Sequence, residues 1–528
     1  MVLQLNSKTN ILYFYYFFLV IFSFSINYWT ASRGVYPIDT FLHFDAGLRI
    51  LNNELPVRDY WIVHGLFVDY IQSLFFKIFG VNWKSYVIHS SLFNLILTIF
   101  SFKIFKDLNI GNFESFLLAI SFSILAYPVS GTPFLDLHSA FLSLISVYFL
   151  ILAIKNNSNI YIFFSVIIFG FAFLSKQVPA GYTIIGIGIY LVFYSYRSKS
   201  LLPIIYSLYA VITFFTLFFI FLYSTGINFQ EFFFQLVTFP SDVAKNRYAN
   251  YSLNLNNIFL NFKFIYFFLI FIFILIIKDI VRKKKINEKK LNYFFIIIIY
   301  TISLIHHQIF TQNQIFIFFI IPILCAFSIY LTKNMELKKK TLFKIALIIV
   351  CIFSTWKYHE RFNIDRKFHE LTNTNLNDAL QIEFKKDFFQ GLNWISPSFQ
   401  NPKEELKIIR EFYSELKADK SRKILLTNYL FFSSLLNEKL YSPSRTYDKI
   451  SYPQIGNKYF DKYKLYFKNN IKRNKIKNIY IFFTETKIDK NFLKILVLDY
   501  LPNDCYNVKH LNDYTKKIQI NNCQYLRS

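Results

Sequence analysis

The chain is dominated by apolar stretches of membrane-spanning length that recur at short intervals between residues 11 and 356. The first, ILYFYYFFLVIFSFSINY at 11–28, would cross the ~30 Å hydrocarbon layer of a bilayer as a helix. Ten more follow at 85–103, 113–129, 138–154, 159–174, 178–196, 201–224, 260–278, 291–306, 315–331 and 341–356. A chain of 528 residues with 54% hydrophobic and 21% aromatic content arranged in this way is not a soluble globular protein. It predicts a polytopic α-helical membrane protein with eleven transmembrane helices. The first stretch lacks a small-residue cleavage site and reads as an uncleaved anchor.

The formal net charge is +26, which in a soluble chain would point to nucleic acid. Here the lysines cluster in short loops between apolar stretches, where topology and anionic headgroups account for them, so membrane lipids and not nucleic acid are the expected partners. The basic loops also orient the chain. Residues 66–79 carry Asp69, Ser73 and Lys77 at four-residue intervals, the polar stripe of an interfacial helix and not of a span. With that segment on the surface, Lys103, Lys106, Lys155, Arg197, Lys199 and the runs at 282–290 and 335–340 share one face. The positive-inside tendency makes that face, with the N-terminus, the cytoplasmic side of a plasma (inner) membrane. The first polar loop, the turns at 128–138, 175–181 and 306–314, the 225–259 loop and the C-terminal tail are then extracytoplasmic.

After residue 356 the apolar periodicity stops, which divides the chain into a membrane domain, 1–356, and a soluble domain, 357–528. Residues 402–418 read as a helix, and 423–429 and 478–485 as short buried strands, so the second domain is expected to be α/β. It contains no glycine-rich phosphate loop, and nucleotide binding is not expected. Cys325 and Cys351 lie in apolar stretches, while Cys505 and Cys523 near the C-terminus are either a disulfide or two free thiols.

Groups capable of chemistry gather at the outer ends of the spans. The richest stretch is YPIDTFLHFDAGLRILNNELPVRDYWIVHG, residues 36–65. In it Phe41, Phe44, Leu48 and Leu51 share a helical face and Asp45 and Arg49 are spaced for an i,i+4 pair, predicting a second interfacial helix. Asp39 would stand at the N-terminus of that helix as a capping or a catalytic carboxylate. Asp136 heads the fourth span in the same way. Lys176 ends the fifth span on the face where basic residues are disfavoured, so it is either a snorkelling lysine or a partner for a lipid phosphate. Arg58 and Arg247 are further cations in the outer loops, and His43, His64, His138, Gln177 and His307 are candidate substrate contacts.

The combination resembles a known superfamily. An aspartate just beyond the first span, the phrase PVRDYWIVHG (56–65), an aspartate opening a later span in TPFLDLHSAF (132–141) and the turn FLSKQ (173–177) are similar to motifs of the GT-C superfamily. These are glycosyltransferases that use polyprenyl-phosphate sugars. Within it the likeness is greatest to the branch holding lipid A aminoarabinose transferases, protein O-mannosyltransferases and rhizobial-type lipopolysaccharide sugar transferases. It covers residues 10–330, and NYLFFSSLLNEKLYSPSR (428–445) extends it into the tail. Two departures bear on acceptor recognition: His64, Gly65 and Leu66 replace a proline-containing phrase, and Gln312, Asn313 and Gln314 replace an Arg-Tyr before the tenth span, although Pro322 is kept.

The resemblance implies inverting transfer from a polyprenyl-phosphate donor to a lipid, glycan or protein acceptor. Asp39 would act as, or position, the catalytic base, with Asp136 the second acidic group. Lys176, helped by Arg58 or Arg247, would contact the donor phosphate. A helix dipole at Asp39 would favour its anion and weaken it as a base, and an acceptor that is itself a phosphate would need no base. The resemblance names no certain cofactor, and a divalent cation on the carboxylates is compatible with it. The competing reading is a lipid or glycan transporter, which the lack of a clear internal repeat and the placement of charges at span ends disfavour.

Overall fold

The computed structural model describes residues 7–127, 131–249, 254–283, 287–311, 317–335, 337–367, 371–448, 450–486, 488–502 and 505–521, and a few side chains within those ranges, Arg247 among them, are outside the description. Helices come first in the chain. They are Ser7–Ala31 (α1), Pro37–Thr40 (α2), Phe44–Leu51 (α3), Leu66–Phe79 (α4) and Trp83–Asp107 (α5). Next are Asn112–Leu125 (α6), Leu135–Asn156 (α7), Ile160–Ser175 (α8), Gln177–Ser198 (α9) and Leu202–Thr225 (α10). Phe229–Phe233 (α11), Phe239–Ala249 (α12), Lys263–Lys283 (α13), Glu288–Thr311 (α14), Ile320–Leu331 (α15) and Leu337–Tyr358 (α16) complete the series.

Eight of these, α1, α5, α7, α9, α10, α13, α14 and α16 with its extension to Ile364, are long and apolar enough to cross a membrane. Three shorter apolar helices, α6, α8 and α15, correspond to the remaining expected spans. At 1.5 Å per residue a helix of 12 to 16 residues falls short of the hydrocarbon layer. Helix α15 can be short because its side chains are almost all buried by protein, so lipid thickness does not set its length. The polytopic helical architecture expected from the sequence is therefore present.

Two compact units emerge from the chain. The first comprises residues 1–32, 87–220 and 248–372 and holds most of the apolar helices. Its centre is α7, buried along nearly its whole length, which packs against α8, α9 and α14. Helix α5 shows how apolar helices associate where lipid supplies no hydrophobic drive. Ser90, Asn94, Thr98 and Ser101 lie along one helical face and are buried. Asn94 Nδ2 donates to the Ser123 carbonyl on α6 (2.9 Å), and Ser101 Oγ shares a 2.7 Å bond with Tyr148 OH on α7.

The second unit comprises residues 33–86, 221–247 and 373–528. Its ribbon pairs β1 (Leu380–Gln381) with β2 (Asn393–Trp394), and its four-stranded sheet contains β3 (Lys423–Thr427), β4 (Asn478–Phe482), β5 (Tyr506–Asn512) and β6 (Thr515–Ile520) in the order β3-β4-β6-β5. Strands β3 and β4 are parallel, and the other pairings are antiparallel. Pro402–Ala418 (α17), Phe432–Leu436 (α18), Phe460–Asn474 (α19) and Lys490–Leu496 (α20) accompany the sheet. The expected helix and both strands are present. The β5–β6 hairpin was not expected, because its lysine-rich sequence shows no apolar alternation and most of β5 is exposed. Cys505 is disulfide-bonded, Cys325 and Cys351 are free buried thiols, and Cys523 lies outside the described residues.

The first loop is part of this unit's interior, which corrects two expectations. Asp45 and Arg49 are not a surface pair. Asp45 caps α18 from a distant segment, accepting Ser433 N–H at 3.1 Å, Ser434 N–H at 2.8 Å and Ser434 Oγ at 2.7 Å. Arg49 is buried against Glu54 and donates to the Ser442 carbonyl at 2.8 Å. Nor does the stripe on α4 face water as expected: Asp69 and Ser73 are buried while Lys77, Leu74 and Ile78 are exposed. Asp69 meets Arg445 Nη1 at 2.8 Å and His43 Nδ1 at 2.6 Å. The two phrases singled out by resemblance, PVRDYWIVHG and SPSR, are thus joined, also through Trp61 N–H to the Pro443 carbonyl (2.8 Å) and Arg445 N–H to the Trp61 carbonyl (3.0 Å).

A buried carboxylate that loses its only guanidinium is left uncompensated. Arg445→Met should therefore cost about 3–5 kcal/mol of this unit's stability, and Arg445→Met combined with Asp69→Leu should cost less than the single change. Thermal unfolding in detergent measures both. A second test concerns Asp45, whose carboxyl is pushed by burial from 3.8 up to about 6, against the pull of Ser434, Ser433 and Arg49. The raised value means its contribution is full below pH 3.8 and is lost as pH rises through about 6. The melting temperature of the wild type should fall across that window, and Asp45→Asn should flatten the slope.

Candidate active site

In the first unit, three of the sequence-selected residues converge. Lys176 Nζ donates to both oxygens of Asp136, at 2.7 and 2.6 Å, and His307 Nε2 lies 2.7 Å from Asp136 Oδ1. Asp136 and His307 are buried, and the Lys176 side chain is 16% exposed. Asp136 is the second residue of α7 and does not cap it: the N-cap is Phe134, which makes no side-chain cap bond.

Local sequence explains how the three meet. Helix α8 stops at Ser175 and α9 starts at Gln177, leaving Lys176 as a single extended residue (φ −157°, ψ 134°), with Val178 also non-helical before Pro179. An extended residue between two helices turns its side chain out of both helical surfaces. Ser139, one turn along α7 from Asp136, donates its hydroxyl to the Lys176 carbonyl at 3.0 Å, so α7 holds both the backbone and the ammonium of this residue. On α14, Tyr300 donates to the Ala140 carbonyl at 2.8 Å. Four residues back along α7 and seven forward along α14, an antiparallel step on the same faces, Asp136 meets His307. His306 turns away and sets its ring edge-on to Tyr182, 4.7 Å between centroids.

The turn before α7 is also built for this. Gly131 has φ +68°, and a Cβ there would lie 2.5 Å from the Ala31 backbone nitrogen. Its carbonyl accepts from Asn27 Nδ2 (3.0 Å) and Ser90 Oγ (2.6 Å), tying the turn to α1 and α5. His138 bonds His89 Nε2 at 3.1 Å, and Gln177 is the half-buried first residue of α9. His89 and Asn27 escaped selection in the sequence, although each is a polar side chain inside an apolar span, the signal that would have found it.

The other selected residues belong to the second unit. Asp39 is half-buried in the first turn of α2, whose N-cap is Tyr36. Burial holds His43 below its ordinary pKa despite the hydrogen bond and charge of Asp69, so the neutral ring donates Nδ1–H to Asp69. Its Nε2 has no hydrogen-bond partner among the described residues. His64 Nδ1 faces Arg445 Nη2 at 3.2 Å, and its carbonyl accepts from the same nitrogen at 2.7 Å. Arg58 bonds Asp59 and the Asn53 carbonyl within the loop and the Thr225 carbonyl at the end of α10. Arg247 lies on α12 with its side chain outside the described residues, as are Gln312 and Asn313. Among the described residues no three His, Cys, Asp or Glu side chains gather to hold a metal ion.

Residues 63–223 match the model of the dolichyl-phosphate-mannose-protein mannosyltransferase family. That segment is similar to a family of the GT-C glycosyltransferase superfamily. The match spans under a third of the chain. It includes His89, Asp136 and Lys176, and leaves Asp39 and His307 outside. No curated protein matches the chain. The GT-C resemblance drawn from the motifs therefore holds, and it supports a membrane glycosyltransferase.

Gly131→Ala tests the turn that launches Asp136. The left-handed backbone alone should cost about 1–2 kcal/mol, and the clash with Ala31 should add to it. Thermal unfolding of the purified membrane protein reads the loss.

Proposed function

We propose that this protein is an inverting glycosyltransferase that moves a sugar from a polyprenyl-phosphate donor to a hydroxyl of a cell-surface glycan, lipid or protein. Asp136, Lys176 and His307 would lie at its donor site. The observation that carries this reading is the paired ammonium of Lys176 on Asp136 within the matched segment. A carboxylate presents two oxygens as a phosphate monoanion does, so in the resting enzyme Asp136 occupies the place that suits a donor phosphate. The donor phosphate takes Lys176 Nζ, and Asp136 keeps its bond to His307.

The chemistry then needs three things. The acceptor oxygen attacks the anomeric carbon, and the bond from that carbon to the phosphate oxygen breaks. The polyprenyl phosphate leaves with that electron pair, its added charge met by Lys176 in a low-dielectric setting where such stabilisation is strongest. The hydroxyl proton goes to a carboxylate within hydrogen-bond reach, the role the resemblance assigns to Asp39. A donor with an isoprenoid tail reaches the site from the bilayer, which suits charges at the ends of apolar helices. The disulfide-bonded Cys505 suits an oxidising, extracytoplasmic compartment for the tail of a plasma-membrane enzyme.

Asp39→Asn should lower sugar transfer by about 10²–10⁴-fold, and Lys176→Ala should abolish it, with both variants reaching the membrane at wild-type levels. Transfer from a polyprenyl-phosphate sugar into surface glycan, followed by mass analysis, is the measurement. Near-normal transfer by both variants would sink the assignment.

A further inference from the structure

We infer that His89 is a positioning residue that holds the first turn of α7, and with it Asp136, from the side opposite Lys176 and His307; this rests on the reading of Asp136 as part of the site. Residues two positions apart in a helix are about 200° apart around its axis, so Asp136 and His138 point to opposite sides of α7. On one side are Lys176 and His307. On the other, His138 reaches α5.

The protons on that second side follow from the partners. His138 Nδ1 lies 2.9 Å from the Phe134 carbonyl, which can only accept, so Nδ1 carries the proton. The neutral ring then accepts at Nε2, and His89 Nε2, 3.1 Å away, is the donor. Both rings are fully buried, with Phe93 tilted against His138 at 4.5 Å between centroids. Phe134 is the residue whose carbonyl starts the α7 hydrogen-bond ladder. Ser90, the neighbour of His89, takes the Gly131 carbonyl of the preceding turn. Helix α5 therefore holds both the first turn of α7, through His138, and the turn that precedes it, through Gly131.

That grip matters to the reaction because the front side must change. When Lys176 turns from Asp136 to a phosphate, the carboxylate loses its cation, and the helix turn carrying it keeps its place only if held from behind. A histidine pair that merely satisfied buried polar atoms would be replaceable by two apolar side chains without effect on rate.

The experiment compares His89→Leu, His89→Gln and the double variant His89→Leu with His138→Leu in membranes supplied with polyprenyl-phosphate sugar. His89→Leu should lower kcat by about 10- to 100-fold with donor KM unchanged. His89→Gln, whose amide can donate to His138, should recover most of the rate. The double variant should melt near the wild type, since no buried nitrogen is orphaned, yet remain slow. A double variant with both wild-type melting and wild-type kcat overturns the inference, as does a His89→Leu defect confined to KM. If His89→Leu does not fold, His89→Gln against the double variant gives the same comparison. Asp136→Asn is the control: inactive, with His89 variants at full rate, it refutes the positioning role alone; active, it refutes the site and this role with it.

Discussion

The carboxylate of Asp136 is the charge on which the first unit is arranged. Placed inside a bundle of apolar helices, an ionised carboxylate cannot be left to solvent and must be paired by other parts of the chain. Lys176 and His307 pair it, and they come from the break between α8 and α9 and from the end of α14. One buried charge therefore specifies the register of α7 against three other helices. The Ser139 and Tyr300 bonds repeat that register one turn further along. Replacing such a cluster with apolar side chains would often be neutral or favourable for stability alone, so stability by itself does not account for it.

The second unit applies the same rule outside the spans. Asp69, Arg445, His43 and His64 form a buried charged network that stitches the first loop to the end of the SPSR phrase. Arg49 stacks on the Tyr60 ring at 3.7 Å while pairing Glu54, so its charge is paired although its buried Nε has no hydrogen-bond partner among the described residues. Because Asp45 supplies the cap that α18 lacks in its own sequence, the tail's helix depends on a residue nearly four hundred positions earlier. The first loop and the tail consequently belong to one unit, whereas composition alone divides the chain at the last apolar stretch.

What was legible in the sequence follows from these physics. The eight long apolar helices were readable because bilayer thickness imposes a length, and a run of Phe, Ile and Leu of that length has few other uses; α6, α8 and α15 fall short of that length and were readable from their apolarity alone. Asp136 and Lys176 were readable because a charge at the end of such a run is costly and therefore informative. The inward turn of Asp69 was not, since a polar stripe on a 14-residue helix indicates which residues share a face and not whether that face meets water or protein. Asp45 and Arg49 failed for a related reason: i,i+4 spacing permits a pair, but burial gave each a stronger partner elsewhere. The β5–β6 hairpin was hidden because Thr515 and Lys516, polar residues on opposite faces of β6, are both buried while most of β5 is exposed, so neither strand shows an apolar alternation.

His89 shows why polar residues within spans carry more information than their number suggests. In water a histidine ring finds partners everywhere, so its presence says little about its neighbours. Within an apolar helix the same ring must meet a complementary atom at a fixed distance, and the pairing propagates: the Phe134 carbonyl sets the tautomer of His138, and His138 then accepts from His89. The chain of donors and acceptors ends at the turn that carries Asp136. Asp136 thus stands between an ion pair in front of the helix and hydrogen bonds behind it.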